Sequence, residues 1–325
     1  MNNTHRLLVP DVMGRAGIDM LRAREDVDLL VYDAGIATAE FREIIADADG
    51  IALWATPFRQ PDLDAAPRLA AVARLGVGYD AVEVPALTAR AVPLMVTGTA
   101  NSVSVAEHAL FLLLAVAKRA RAQDAVVRSG DWSSRYDDMP VEIAGRTVLV
   151  VGFGRIGTRM ARRCLAMDMT VLVHDPYVEA DVIRQAGCEP APELDSVLAQ
   201  TDFVTIHCPR TEQTLGMFDA PRLARLKRGA ALVNTARGGI VDERALLAAL
   251  ENGQLSGAGL DVWAEEPTPP DHPLLRLAQV IAAPHIAGST GESTEGMARE
   301  TARNLLSVID GAPIAANVVN KEVLR

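Results

Sequence analysis

An apolar run ending in spaced glycines constrains this chain more than any other feature: Arg146–Gly157 reads RTVLVVGFGRIG. The run TVLVV has the unbroken apolar character of a strand buried on both faces of a parallel sheet. The residues after Gly157 suit a helix. Between them, Gly152 allows a tight turn, Gly154 lets backbone approach a pyrophosphate, and Gly157 lets helix and strand pack closely. The helix N-terminus would offer unpaired N–H groups and a positive dipole end to phosphates. Asp175 ends the next predicted strand, TVLVHD. There a carboxylate can accept hydrogen bonds from an adenosine ribose and repel a 2′-phosphate, which favours NAD over NADP. The plainer reading of Asp175 is a solvent-facing turn residue before Pro176.

The same rhythm runs along the chain. Arg6–Val9, Asp28–Tyr32, Gly50–Trp54 and Ala73–Gly76 read as strands separated by amphipathic segments, an alternation that builds a parallel sheet flanked by helices. Asn101–Arg121 reads as one long apolar helix, with Ser102 or Ser104 as cap and Lys118, Arg119 and Arg121 at its basic end. After the polar stretch Ser129–Pro140, strands are predicted at Thr147–Val151, Thr170–His174, Phe203–His207, Ala231–Asn234, Ala258–Asp261 and Val280–Ala282. Helices are predicted at Arg155–Ala166 and Glu243–Glu251. Six strands alternating with helices is the doubly wound dinucleotide-binding arrangement. A last helix near Glu292–Asp310 is expected to return to the first domain. The expected fold is α/β, with two doubly wound parallel-sheet domains. A Rossmann dinucleotide-binding domain at 101–290 is inserted into a flavodoxin-like substrate-binding domain made of 1–100 and 291–325.

Composition narrows the function classes. A length of 325 residues suits two domains rather than one core. With 49% hydrophobic and 23% charged residues the chain is an ordinary globular one. A net charge of -10 disfavours the phosphate backbone of nucleic acid as a partner. Cys164, Cys188 and Cys208 lack metal-ligand spacing, so no metal is expected, and such unpatterned thiols suit a reducing compartment. The N-terminus lacks a secretory pattern. The longest uncharged apolar run, Ala109–Ala117, falls short of the ~20 residues that span a bilayer. A cytoplasmic protein with no membrane partner is expected.

The informative polar residues lie near the carboxyl ends of predicted strands, in NTARGGIV (Asn234–Val241), DVWAEEP (Asp261–Pro267) and PHIAGST (Pro284–Thr290). Ligands of open α/β sheets bind at those ends, so the three loops should converge on a cleft. Oxidising a secondary alcohol needs a hydride acceptor and a base for the hydroxyl proton. His285 suits the base, because imidazole titrates near neutral pH. Glu266 can fix its tautomer and favour the imidazolium by opposite charge. Arg237 can clamp a substrate carboxylate and polarise the carbonyl of the keto form. Each residue alone also has a structural reading: a core histidine, a helix-capping acid, a surface ion pair.

Taken together, the motifs resemble the D-isomer-specific 2-hydroxyacid dehydrogenase family. GVGYD (Gly76–Asp80), SVAEH (Ser104–His108), GFGRIG, HCPRTEQT (His207–Thr214), NTARGGIVDE, DVWAEEP and PHIAGST occur in the family's order over almost the whole chain. The resemblance implies an NAD-dependent oxidoreductase with catalytic Arg237, Glu266 and His285. It further implies cofactor contacts at Gly152, Gly154, Arg155, Ile156, Gly157, Asp175, Cys208, Pro209, Thr214, Thr235, Ala236, Asp261 and Gly288. The substrate carboxylate would meet the backbone of Val77 and Gly78, and Arg237. A homodimer built through the dinucleotide domain is also implied. Phosphoglycerate dehydrogenases of the family carry an arginine around the place where this chain reads LWATP, with Trp54 there or close by. A small non-phosphorylated 2-hydroxy or 2-keto acid is therefore expected, with Trp54 lining an apolar pocket or serving the core. Ala81 and Glu83 also depart from the family's usual Asn and Asp.

Two rival readings share these motifs. Formate dehydrogenases carry a segment like Asn101–His108, which makes Asn101 a candidate substrate contact, but they pair histidine with glutamine. Loss of hydride from formate moves no proton, whereas a Glu–His pair is equipped to move one. NADH-sensing corepressors also resemble the family and keep the three catalytic residues; turnover of a 2-keto acid separates them from an enzyme.

Overall fold

The computed structural model describes residues 4–324, which divide into two units, 102–288 and the remainder of the chain on either side of it. The first unit, 4–101 with 289–324 of the described residues, is built on five parallel strands: β1 (His5–Pro10), β2 (Val27–Tyr32), β3 (Gly50–Leu53), β4 (Ala71–Arg74) and β5 (Leu94–Met95). Their order is β2-β1-β3-β4-β5, the flavodoxin-like arrangement. Helices α1 (Arg15–Arg22), α2 (Thr38–Ile44), α3 (Gln60–Ala65) and α4 (Val84–Ala89) connect them. Side chains alternate along β1, so that Leu8 enters one core layer and Leu7 and Val9 enter the other.

The second unit begins with α5 (Ser102–Ala117) and α6 (Ala120–Ser129). Seven parallel strands follow: β6 (Thr147–Val151), β7 (Thr170–His174), β8 (Glu189–Pro190), β9 (Phe203–Ile206), β10 (Ala230–Asn234), β11 (Leu255–Leu260) and β12 (Val280–Ala282). Their order, β12-β11-β10-β9-β6-β7-β8, reverses direction between β6 and β9. This is the Rossmann order with one strand added, and its switch point is where a dinucleotide binds. Between the strands lie α7 (Gly157–Ala166), α8 (Ala180–Gln185), α9 (Leu194–Val197), α10 (Ala220–Arg225) and α11 (Glu243–Glu251). Leu149 and Val151 point to one face of the sheet and Val148 and Val150 to the other, which explains why β6 reads as continuously apolar. The last helix, α12 (Gly291–Ile309), packs on α1, β3 and β4 within the first unit.

Three sequence expectations are corrected. Asn101–Arg121 is not one helix: Arg119 takes a left-handed conformation (φ 54) between α5 and α6. Its guanidinium is held there by Asp138 at 2.8 Å and by the Ser256 carbonyl at 2.8 Å, contacts that helical periodicity cannot register. The strand expected at Ala73–Gly76 lies two residues earlier, because Gly76 adopts φ 144 and turns the chain. The second sheet has seven strands, not six; β8 is two residues long and contains Pro190, which only an edge strand tolerates. Among the described residues no helix is long and apolar enough to cross a membrane.

Candidate active site

The glycine turn follows β6, on one side of the switch point. Gly152 has φ 92, and a Cβ there would lie 2.7 Å from the amide nitrogen of Cys208, which follows β9 on the other side. A Cβ on Gly157 would lie 1.9 Å from the Gly152 carbonyl oxygen, so α7 can start this close to β6 only with glycine. Gly154 is different: a Cβ there meets nothing within 4 Å. That absence of steric need is what backbone reserved for a phosphate group would show. Arg155 is exposed at the tip of the turn and Ile156 precedes the first turn of α7.

Asp175 faces this turn. Its Oδ2 accepts from the Phe153 N–H at 2.7 Å and its Oδ1 from the Tyr177 N–H at 2.9 Å. It is thus the turn residue spanning Pro176 and also the acid bound to the glycine loop. Thr214 folds the segment after Cys208 and Pro209, donating to the Pro209 carbonyl at 2.7 Å and accepting from the Thr211 N–H at 2.7 Å. Burial pushes the Cys208 thiol up to about 11, so it is a neutral lining group rather than a nucleophile. Thr235, after β10, is buried with its hydroxyl lacking a hydrogen-bond partner, beside Ala236. An open glycine, a loop-bound acid and an orphaned hydroxyl at the carboxyl ends of β6, β7 and β10, on both sides of the switch point, fit a dinucleotide. Among the described residues no cluster of His, Cys, Asp or Glu is arranged for a metal ion.

The catalytic candidates come from three neighbouring strand ends of the second unit. After β10, the Asn234 side chain accepts from the Ala236 N–H at 3.0 Å and donates to the Arg237 carbonyl at 2.9 Å, which fixes the turn bearing Arg237. After β11, Glu266 splits its carboxylate: Oε1 accepts from the Trp263 N–H at 2.9 Å, and Oε2 lies 2.7 Å from Nδ1 of His285. After β12, His285 itself adopts φ 54, unusual for a residue with a side chain. The Nδ1–Oε2 contact sets the proton on Nδ1 and leaves Nε2 for exchange with a ligand.

Asp261 underlies that loop and is fully buried. Its backbone carbonyl accepts from the His285 N–H at 2.7 Å, and its carboxylate accepts from Ile286 at 2.8 Å and Ala287 at 2.9 Å. Burial pushes the Asp261 carboxyl up, against the opposing pull of these N–H groups and of His108 and His285. His108, on α5, places Nε2 3.7 Å from Asp261 Oδ1; that nitrogen is buried and has no hydrogen-bond partner.

Val77, Gly78 and Asn101 belong to the first unit. Val77 and Gly78 form the half-buried turn after β4, where Arg74 Nε donates to the Gly78 carbonyl at 2.8 Å. Asn101 is buried, and its side-chain oxygen lacks a partner. Trp54 is half-buried against the core layer shared by β1, β3, β4 and α12. Sequence reasoning missed the supporting roles of Asn234, whose side chain fixes the Arg237 turn, and of Trp263, whose N–H holds Glu266. Both could have been suspected from their places inside NTARGGIV and DVWAEEP.

Comparison with known proteins bears on this arrangement. Residues 110–287 match the family described as D-isomer specific 2-hydroxyacid dehydrogenase, NAD binding domain. The chain is 37% identical over 324 residues to a glyoxylate reductase of Korarchaeum cryptofilum, covering 98% of this chain and 97% of the relative. It is 45% identical over 267 residues to a D-3-phosphoglycerate dehydrogenase of Mycobacterium bovis, covering 80% of this chain and only 50% of that one. The fold superposes on a crystal structure of D-lactate dehydrogenase from Aquifex aeolicus complexed with NAD and lactic acid, with a TM-score of 0.86 and 27% identity. That match covers 97% of this chain and 99% of the other.

Proposed function

The chain belongs to the D-isomer specific 2-hydroxyacid dehydrogenase family, and we propose that it interconverts a small non-phosphorylated 2-keto acid and its 2-hydroxy acid with NAD(H). The observation that carries this reading is the 2.7 Å contact between His285 Nδ1 and Glu266 Oε2. A carboxylate behind an imidazole equips it to give and take a proton, which keto-acid reduction requires and formate oxidation does not. When bound, the reduced nicotinamide supplies the hydride to the carbonyl carbon. His285 Nε2 delivers the proton to the carbonyl oxygen, and Glu266 stabilises the imidazolium before that transfer. Arg237 binds the substrate carboxylate and draws electron density from the carbonyl.

Gly154 and the α7 N-terminus take the pyrophosphate in this reading, and Asp175 takes the adenosine ribose. Arg155, Ile156, Cys208, Pro209, Thr214, Thr235, Ala236 and Gly288 complete the cofactor contacts. Asp261 approaches the carboxamide through lone pairs its backbone partners leave over. Val77, Gly78 and Asn101 belong to the substrate side of the same proposal. The non-phosphorylated substrate rests on Trp54, at or near the place where the family's phosphoglycerate enzymes carry arginine, and on the relative named for glyoxylate. The chain spans about half the length of the phosphoglycerate dehydrogenase it matches.

A cytoplasmic homodimer completes the proposal. The exposed Phe111 (55%) on α5 and Val127 (61%), Trp132 (60%), Tyr136 (63%) and Met139 (57%) between α5 and β6 supply apolar surface for a second copy. NADH oxidation with glyoxylate, hydroxypyruvate, pyruvate and phenylpyruvate tests the activity. Turnover of at least one is expected, and turnover of none, with NADH still bound, favours a sensor. His285→Ala should lose at least ~10²-fold in rate.

A further inference from the structure

Two consecutive backbone N–H groups in the turn after β11 are taken by two different carboxylates. The Trp263 N–H goes to Glu266 Oε1 at 2.9 Å, and the Ala264 N–H goes to Glu243 Oε1 at 2.7 Å. Glu243 is the first residue of α11, but it does not cap that helix. Asp242 does so, accepting from Arg244 at 2.9 Å and Ala245 at 3.1 Å. The other oxygen of Glu243, Oε2, lies 3.3 Å from Nε2 of His272. The two side chains are only 17% and 21% exposed, and Nδ1 of His272 is buried without a hydrogen-bond partner. The His272 ring packs edge-on against the Trp263 indole, with centroids 5.6 Å apart and planes at 71°.

Trp263 in turn touches all three catalytic turns. Its backbone N–H holds Glu266, and its indole N–H donates to the Ala283 carbonyl at 3.0 Å, two residues before His285. A Cβ on Gly238 would lie 1.8 Å from its carbonyl oxygen, so the turn carrying Arg237 rests on the same peptide.

Stability alone does not call for this device. Ala264 is exposed, so water could satisfy its N–H. A largely covered carboxylate in that place carries a desolvation cost that a water molecule avoids. What the carboxylate adds is direction: it fixes the Trp263–Ala264 peptide, and so restrains the Trp263 backbone whose own N–H, in the preceding peptide, is held by Glu266.

We propose that Glu243 and His272 form a second acid–imidazole pair whose task is to position Glu266 against His285. Both are positioning residues, acting through the Trp263–Ala264 peptide and the Trp263 ring. The inference rests on the reading of Glu266 and His285 as the proton-transfer pair.

The test uses the full-length enzyme with glyoxylate, or whichever keto acid it turns over. Glu243→Ala should lower kcat about tenfold, because small misplacements of catalytic groups are costly. KM for NADH should stay unchanged, and the pH above which reduction declines should move down, toward that of Glu266→Gln. Glu243→Gln keeps an acceptor for Ala264 and should recover most of kcat. In Glu243→Ala/Glu266→Gln the pH limb should move no further than in Glu266→Gln alone. If Glu243→Ala yields no folded protein, Glu243→Asp, too short to reach Ala264, and His272→Phe, which keeps the ring contact, should show the same lower kcat and shifted limb. A shifted limb in Glu266→Gln with wild-type kcat and limb in these variants overturns the positioning role alone. A wild-type limb in Glu266→Gln overturns the underlying pair, and the inference with it.

Discussion

Asp261→Asn isolates the anchor beneath His285, the proposed proton donor. In the wild type, its carboxylate receives two backbone N–H groups, at 2.8 and 2.9 Å, and its carbonyl receives that of His285 at 2.7 Å. The amide variant keeps the carbonyl bond and one side-chain acceptor, but turns an NH2 group toward the second buried N–H. Hydrogen bonds to a charged group contribute about 1.5–3 kcal/mol each, neutral ones about 1, and a stranded buried donor costs about 1–3. The gross loss is therefore about 3–5 kcal/mol. Part of it is offset, because burial disfavours the Asp261 carboxylate and a neutral amide escapes that cost. A net loss of about 2–3 kcal/mol remains, which for a unit of this size lowers Tm by roughly 5–10 °C.

The functional consequence follows from the backbone of His285. Its left-handed conformation (φ 54) is disfavoured by about 1–2 kcal/mol and persists because the anchor imposes it. Loosening Ile286 and Ala287 releases that conformation and moves the imidazole off its Glu266 partner, with kcat expected to fall at least about tenfold. Calorimetry gives Tm, and steady-state reduction at saturating NADH gives kcat. A variant that keeps wild-type Tm and kcat refutes the anchor. A lower Tm with wild-type kcat refutes its link to catalysis.

Three further outcomes probe the cofactor side and the acid limit. Gly154→Ala should fold with unchanged Tm yet raise KM for NADH about tenfold, because its Cβ meets no protein atom but fills space assigned to phosphate. Gly157→Ala should instead lower Tm, by an overpacking cost of about 1–3 kcal/mol, since its Cβ meets the Gly152 oxygen at 1.9 Å. Asp175→Ala should relax the preference for NADH over NADPH in kcat/KM, and an unchanged ratio would show that another group sets it. Burial holds His207 at about 3, against 6.5 for an ordinary histidine. From pH 6.5 down toward 3 the unfolded chain takes up a proton that the folded chain refuses, so stability falls with pH in that window. His207→Gln, scanned for Tm at pH 7 and at pH 4.5, should lose less on acidification than the wild type.

What could be read in the sequence was local. The strand–glycine–helix unit at Arg146–Gly157 announces itself because each glycine answers a need within a few residues: Gly157 meets the Gly152 oxygen, and Gly152 sits at φ 92. Continuous apolar runs gave β6, β7 and β9, since both faces of those strands are covered. The breaks escaped for the opposite reason. Lys118 and Arg119 are good helix formers, and it is Asp138 together with a carbonyl 137 residues away, at Ser256, that holds the Arg119 side chain where the helix breaks. Two-residue strands such as β5 and β8 carry no periodicity to detect.

The same distinction explains which parts of the candidate site were hidden. Arg237, Glu266 and His285 stood out because their residue types suit the chemistry. The groups that aim them act through backbone N–H and carbonyl atoms, which every residue has. Glu243 looks like any acid in the first turn of a helix, and Trp263 like any core aromatic, until the fold brings Ala264, Ala283 and Gly238 against them. The three proposed catalytic side chains thus stand on one peptide frame, made by Trp263 with Asp261 beneath His285, rather than on three independent loops. Damage to that frame should appear in kcat and in the pH profile. Damage to the glycine turn, which supports none of the three, should appear in KM for NADH.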